Sequence, residues 1–458
     1  MLKLKLLNWI SHIMMMVGFF IMSGCARVDH KQSALDPKGL VSQNQYDVFM
    51  LSVWITIFLF TAVGGALLFV LWKYRARSAE DARRVPEQSH GNPLIEASLI
   101  VASFCILVIL AVPTLKGIVL LNKVPDPDDA ETLAKLNLDR SQVEEAITVN
   151  VTGKRFFWVF EYPQYGIVTA NELIFPVTKA VRVNLRTEDV IHSFWLPKLA
   201  GKMDLIPGQE NFLWFIADEE KVLNGKTAKQ SMPTVHNGEM RSAIFRIQKF
   251  TDEFEAVGGL FYGQCAEYCG SSHAYMSFRA LAQTDEDFEA WTKKFQNAQN
   301  PNLDTKDFVE DQNYTKNEIV KFDAPEIGEN YKREYIAIKD TNSSPKTNNW
   351  KPYRSDDYEH GKKLFGDYGC VQCHAINRTG IGAKGPNLTL YGIRTSLAAG
   401  WMRNNEKSLA RWIKNSNEIK DGNLMWNGEG IDDDHPVRNL ENEDEKVNQL
   451  VKYLLEQK

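Results

Sequence analysis

Apolar and polar positions divide the chain into stretches of different period. The first 25 residues open with Lys3 and Lys5, run apolar to Met22 and end Ser23-Gly24-Cys25. A basic start, a short apolar core and a small-residue finish predict a secretory signal over 1–25. Phe49 to Trp72 then carries no charge, and Leu94 to Val112 carries one acid, Glu96, with Pro113 at its end. At a rise of about 1.5 Å per residue, helices over 49–72 and 94–112 cross a hydrocarbon layer of ~30 Å. Lys73, Arg75, Arg77, Arg83 and Arg84 fall between them. The positive-inside rule puts that loop in the cytoplasm and both flanks outside. The region 26–145 is therefore expected to be a two-helix transmembrane hairpin, with the following domains on the extracytoplasmic side.

From Ile147 onward, short β-rich runs alternate with turn residues: Ile147–Val151, Phe156–Tyr162, Ala180–Leu185, Glu210–Ile216 and Ser242–Ile247. That spacing predicts an all-β sandwich or barrel over 146–296, closed by an amphipathic helix at Asp285–Phe295. Residues 297–352 are polar and aperiodic, rich in Asn, Lys, Asp and Glu, and read as a linker. Phe308, Tyr331 and Tyr335 are its docking residues. Helical periodicity returns over 353–458, at Asp357–Phe365, Leu409–Ile413 and a last helix with Val447, Leu450, Val451, Leu454 and Leu455 along one face. The expected architecture is multidomain: a membrane hairpin, an all-β domain and an all-α domain.

Composition narrows the classes. The 458 residues are 44% hydrophobic, 24% charged and 11% aromatic, with a mean hydropathy of −0.31. A polytopic transporter would be more apolar, and a disordered chain would have fewer aromatics. Fifty-three basic against 58 acidic residues leave a net charge of −5 and no basic stripe, so no nucleic-acid partner is expected. Six cysteines are too few for a disulfide scaffold. Cys105, in the middle of the second apolar stretch, reads as a small buried apolar residue. The ending before Cys25 resembles a bacterial lipoprotein box, with Met22 where Leu usually stands; an uncleaved anchor is the alternative.

The most informative stretch is Tyr262-Gly-Gln-Cys265-Ala-Glu267-Tyr-Cys269-Gly-Ser-Ser-His273-Ala-Tyr-Met276, with His192 about seventy residues before it. Two thiolates, two imidazoles and a thioether are soft ligands that suit copper or zinc and exclude magnesium or calcium. One cysteine with two histidines and a weak methionine would hold a single copper, whereas a second thiolate four positions on allows both sulfurs to bridge two metals. Zinc would need only Cys265, Cys269, His192 and His273, leaving Met276 without a role. A Cys265–Cys269 disulfide is the remaining alternative outside the cytoplasm.

The loop Cys-x-Glu-x-Cys-x-x-x-His-x-x-Met, together with the hairpin before it, resembles subunit II of the haem–copper cytochrome oxidases, from the hairpin to about residue 295. The resemblance implies a cupredoxin fold and a binuclear copper centre (CuA). His192 and His273 would be its terminal ligands, Cys265 and Cys269 its bridges, and Met276 the weak ligand on one copper. The Glu267 carbonyl would serve the other copper. It also implies a magnesium ion shared with subunit I, bound by the Glu267 carboxylate with Asp204 nearby; for Asp204 the alternative is an ordinary turn residue before Pro207-Gly208. The family's aromatic run is replaced by Gly153-Lys-Arg-Phe156-Phe157-Trp158. Phe156 matches the exposed tryptophan through which electrons arrive, and Trp158 the inner, core tryptophan.

Cys370-Val-Gln-Cys373-His374 is the attachment signature of a c-type haem: two thioethers and a proximal histidine. A redox dithiol or half a zinc site competes, but the adjoining histidine and the exported location count against both. The last hundred residues resemble a class I cytochrome c domain. Gly385-Pro386-Asn387-Leu388 matches the loop whose proline carbonyl orients the proximal imidazole. Met425, in Gly422-Asn-Leu-Met, is the expected sixth ligand, with Trp426 where proline usually follows. Met402 is read as a packing residue, and His435 would need a refolded loop to reach iron.

Together the resemblances imply subunit II of a caa-type oxidase of the bacterial cytoplasmic membrane. It would relay electrons through its own haem and copper to haem a and the oxygen-reducing, proton-pumping centre of subunit I. Partners implied are subunit I and the other oxidase subunits, membrane lipid, and an upstream cytochrome or quinol-oxidising complex. A quinol oxidase subunit would lack the copper ligands. A nitrous oxide reductase would need a histidine-rich propeller, and this chain has nine histidines.

Overall fold

The computed structural model describes residues 32–83, 85, 91–222, 259–299, 305–377, 384–427 and 435–457. The expected signal with Cys25, and the strand expected at Ser242–Ile247, lie outside them.

Helices α1 (Leu40–Lys73) and α2 (Pro93–Leu121) pack as a hairpin and are long and apolar enough to cross a membrane. Both exceed the charge-free runs. At 34 residues α1 is about 51 Å long, so its first turns stand clear of a ~30 Å core. These turns dock on the next domain: Ser42 Oγ donates to the Lys198 carbonyl at 2.7 Å and Leu40 N to Ile216 O at 3.2 Å. Helix α2 continues past Pro113 to Leu121 because the sequence stays apolar, and proline is tolerated in helices of this kind. Trp214 Nε1 donates to the Leu121 carbonyl at 2.9 Å, tying the end of α2 to the same domain.

Two short helices, α3 (Ala130–Leu136) and α4 (Arg140–Glu144), lead into a β-sandwich. One sheet is ordered β3-β2-β1-β5-β8, from β1 (Ile147–Lys154), β2 (Phe157–Tyr162), β3 (Ile167–Ala170), β5 (Val181–Thr187) and β8 (Asn211–Phe215). The other is ordered β4-β10-β9-β6-β7, from β4 (Glu172–Pro176), β6 (His192–Trp195), β7 (Lys202–Leu205), β9 (Leu260–Cys265) and β10 (Ser277–Gln283). Alternation places one face of each strand inward: Ile147, Val149 and Val151 from β1, and Trp158, Phe160 and Tyr162 from β2, are buried against Phe194, Phe261 and Phe278 of the facing sheet. Helix α5 (Asp285–Gln299) seals one edge with Phe288, Trp291 and Phe295.

The segment expected as a linker is folded. It forms a sheet of β11 (Ile319–Asp323), β12 (Lys332–Ala337) and β13 (Trp350–Pro352) over a small core of Tyr314, Val320, Ala337 and Trp350, joined by Phe308. Each strand buries at most two residues, so no alternation shows in the sequence. Tyr331 and Arg333 fasten it to helix α6 (Asp356–Asp367): Tyr331 Oη donates to Glu359 Oε2 at 2.8 Å, and Arg333 Nη1 to Asp356 Oδ1 at 2.7 Å.

The C-terminal domain packs α6 across α9 (Asp444–Leu455), with α7 (Glu406–Lys414), the short α8 (Leu424–Asn427) and a two-stranded ribbon of β14 (Ser396–Leu397) and β15 (Met402–Arg403). The crossing of α6 and α9 is close because Gly361 faces the backbone of Gln449. Of the expected stripe on α9, Val447, Leu450, Val451 and Leu454 are buried and Leu455 is half-buried.

Candidate copper and haem sites

His192 opens β6, Cys265 ends β9, and the 266–276 loop returns to β10. Because β6 and β9 pair with Phe194 opposite Cys265, strand register carries His192 to the cysteine loop. Ala266 N donates to Ser193 O at 2.9 Å and Cys265 N to Met276 O at 2.8 Å, closing the loop onto both strands.

The donor atoms converge. Cys265 Sγ lies 3.8 Å from Cys269 Sγ and 3.8 Å from His192 Nδ1. Cys269 Sγ lies 3.6 Å from His273 Nδ1 and 3.8 Å from Met276 Sδ. The Glu267 carbonyl oxygen sits 3.1 Å from Cys265 Sγ, while its side chain faces solvent. His192, Cys265, Cys269 and Met276 are buried. Both cysteines are free thiols; a sulfur separation of 3.8 Å is far beyond a disulfide bond of about 2.05 Å.

Electrostatics favour a cation. Two neighbouring thiols cannot both ionise cheaply. The hydrogen bond from Cys269 holds Cys265 low, and the same pairing, with burial, pushes Cys269 up. Burial lowers the His192 imidazole, but the Asp189 carboxylate, 2.8 Å from Nε2, and the Cys265 sulfur together outweigh it and raise the net value. That bond also aims Nδ1 at the cysteines, the usual arrangement behind a metal-bound histidine. The pattern Asp-Val-Ile-His held this signal, and the sequence reading missed it.

Trp158 is a core residue, as expected. Its ring meets those of His192, Phe194 and Phe278 edge-on, and Nε1 reaches Met276 O at 3.5 Å. Phe156 is not a solvent-facing residue: it is 5% exposed, beneath the C-terminal domain. Lys420 Nζ donates to its carbonyl at 2.5 Å.

Asp204 lies on β7, opposite Ser193. Among the described residues the group able to hold a metal is His192, Cys265 and Cys269, and neither Asp204 nor Glu267 joins one. The expected magnesium is therefore not supported by the described residues of this chain.

In the C-terminal domain Cys370 opens a short 3-10 turn that presents Cys370, Cys373 and His374 together. His374 Nδ1 is 2.8 Å from the Pro386 carbonyl, the orienting contact expected. Gly385 N donates to Cys373 O at 2.9 Å, and a Cβ on Gly385 would lie 2.8 Å from His374 Cε1. Met425 is half-buried on α8, and Met402 packs against the domain core. His435 caps a following 3-10 turn, its Nδ1 accepting from Val437 N.

Residues 166–244 match the family described as cytochrome c oxidase subunit II, periplasmic domain, and residues 358–458 match the cytochrome c family. Cytochrome c oxidase subunit 2 of Alkalihalophilus pseudofirmus is 28% identical over 405 residues, covering 88% of this chain and 87% of that protein. The same subunit of Bacillus sp. strain PS3 is 28% identical over 454 residues, 98% of each. The solved periplasmic domain of oxidase subunit II from Bradyrhizobium japonicum is 27% identical, covers 37% of this chain and 95% of its own, and has a TM-score of 0.24. The two domains imply a binuclear copper centre and a haem c. Residues 166–244 thus carry a cytochrome c oxidase subunit II periplasmic domain and residues 358–458 a cytochrome c domain, and most of the chain is similar to proteins named cytochrome c oxidase subunit 2.

Proposed function

We propose that the chain relays electrons within a haem–copper oxidase. They pass from an upstream donor to the C-terminal domain, then to the domain of Cys265 and Cys269, then to subunit I. The observation that carries this reading is the convergence of two free cysteines, two histidines and a methionine in one cluster, all but His273 buried, beside a domain bearing Cys-x-x-Cys-His.

The donor set fits the group. Five side-chain donors and the Glu267 carbonyl are what two soft metals need, and a single zinc would leave Met276 and that carbonyl idle. When bound, a copper pair held by these residues would supply one-electron redox chemistry. The chain's own part is to hold the ligands still. His192 is locked by Asp189 and Trp158, Cys265 by its N–H bond to the Met276 carbonyl, and Met276 by the tight turn into β10. Rigid, buried ligands keep reorganisation small when charge changes. At the other centre Cys370, Cys373 and His374 would hold haem, the Pro386 carbonyl would orient the imidazole, and Met425 would be the further ligand that raises the potential.

Helices α1 and α2 anchor the chain in the membrane, with the Lys73–Arg83 side cytoplasmic and both redox domains outside. Mixing the reduced chain, assembled with subunit I, with oxygen tests the order. Copper oxidation should lead haem oxidation when subunit I is the sink. Haem oxidation with the copper band silent would refute the relay.

A further inference from the structure

The sandwich and the cytochrome domain share a seam at which a buried acid does unusual duty. Glu172, at the start of β4, is 4% exposed. Its Oε1 accepts four hydrogen bonds from the other domain: Thr395 N at 2.8 Å, Thr395 Oγ1 at 2.5 Å, Ser396 N at 2.9 Å and Ser396 Oγ at 2.9 Å. Arg279 Nη1 donates to Thr395 O at 3.2 Å from the neighbouring strand, and Ser277 N to Ala399 O at 3.1 Å. A carboxylate held by this many donors is a strong and directional grip.

Beyond the grip, the two ligand loops touch. Ser271 and Ser272 hydroxyls, just before His273, both donate to the Asp421 carbonyl, at 3.1 and 2.5 Å. Asp421 lies four residues before Met425. Gly422 leaves no room between the loops, since a Cβ there would meet Ser271 Oγ at 2.7 Å. Tyr275 and Trp401 stack edge to face across the seam at 4.5 Å.

We propose that Glu172 is a positioning residue: its clamp on Thr395 and Ser396 fixes the cytochrome domain in one pose, in which the Ser272–Asp421 hydrogen bond joins the two ligand loops as the route between them. The step it serves moves one electron from the domain of Cys370, Cys373 and His374 to the domain of Cys265 and Cys269. The first is oxidised and the second reduced, with no bond broken and no proton transferred. Its electron-transfer half rests on the function proposed above; the clamp itself does not.

The test compares full-length wild type, Glu172→Ala and Glu172→Gln, with Thr395→Val/Ser396→Ala removing the two hydroxyl bonds of the four from the other side should Glu172→Ala fail to fold. Amide exchange at Thr395, Ser396 and Ser277 reads the clamp. Haem-to-copper transfer after rapid reduction by a small one-electron reductant reads the pose, at two solvent viscosities. Loss of a charged, buried acceptor should cost the seam about tenfold or more in protection. Transfer should slow and become viscosity-dependent, while reduction of haem by the small reductant and both absorption spectra stay unchanged. Glu172→Gln, which keeps an acceptor oxygen, should recover part of both. Unchanged protection in Glu172→Ala overturns the clamp, and lost protection with unchanged transfer overturns its role. A chain that binds no copper refutes the relay instead, and exchange still scores the clamp.

Discussion

Removing the Asp189 carboxylate probes how the copper pocket is built. Its oxygens take His192 Nε2 at 2.8 Å, Arg155 N at 2.7 Å, Val190 N at 2.7 Å and Thr187 Oγ1 at 3.1 Å. In Asp189→Ala the imidazole loses the group that orients it, and the loop loses three further bonds. A hydrogen bond to a charged partner contributes about 1.5–3 kcal/mol. At about 1.4 kcal/mol per decade this is roughly 10- to 150-fold in affinity. Loss of such an outer partner typically costs a metal site about 10–100-fold. The two figures agree, so copper should bind about 10–100-fold more weakly to Asp189→Ala. Asp189→Asn should fall between, because its amide keeps an acceptor for His192 but turns an NH2 group toward a backbone donor. Titration against a competing chelator, followed by the thiolate-to-copper absorption, measures this in the full chain. A loss under about threefold, with folding intact, would refute the idea that Asp189 holds His192 for the metal.

Other sites give sharper structural tests. Gly361→Ala would set a Cβ 2.0 Å from Gln449 O and 2.9 Å from Tyr453 Cβ. Backbone cannot swing aside, so an overpacking cost of about 1–3 kcal/mol should exceed the ~1 kcal/mol helix-propensity gain. The C-terminal domain should melt several degrees lower by calorimetry, and an unchanged melt would contradict the crossing. Gly153→Ala would press within 2.9 Å of His192 Cδ2 and should alter the copper electron-spin spectrum while leaving the haem spectrum alone. Burial raises the pKa of Glu359, against the opposing hydrogen bond from Tyr331. Between the ordinary carboxylate range and that raised value the folded chain keeps a proton that the unfolded chain has lost. Stability therefore falls as pH rises through that window. Glu359→Gln should remove this slope, so its advantage in denaturant midpoint should grow from pH 4.5 to pH 8 and not stay constant.

Local chemistry was the legible part of the sequence. The hairpin showed because lipid demands uninterrupted apolar runs, and both ligand motifs showed because their spacing is short and their residue types rare. His192 was found by chemistry, though only strand register brings it to Cys265. Strands β3, β4, β6, β7, β9 and β10 were missed. Several are short, and β4 and β10 are buried on both faces, which hides alternation. The 305–352 module escaped because its small core rests on Phe308, Tyr314 and Trp350 scattered through polar chain. Glu172 was invisible because its partners lie more than 220 residues away. The seam also changes the meaning of Phe156. The resemblance implied a solvent-facing residue, whereas here the face is covered by the C-terminal domain.

The most direct test is the metal content of the purified full chain, copper and iron measured together with the electron-spin spectrum of the copper. About two copper atoms per iron, with one unpaired electron shared equally by both coppers, is the predicted result. One zinc or no copper per iron after copper reconstitution would contradict it, returning Cys265 and Cys269 to a structural role and leaving a haem-bearing membrane subunit.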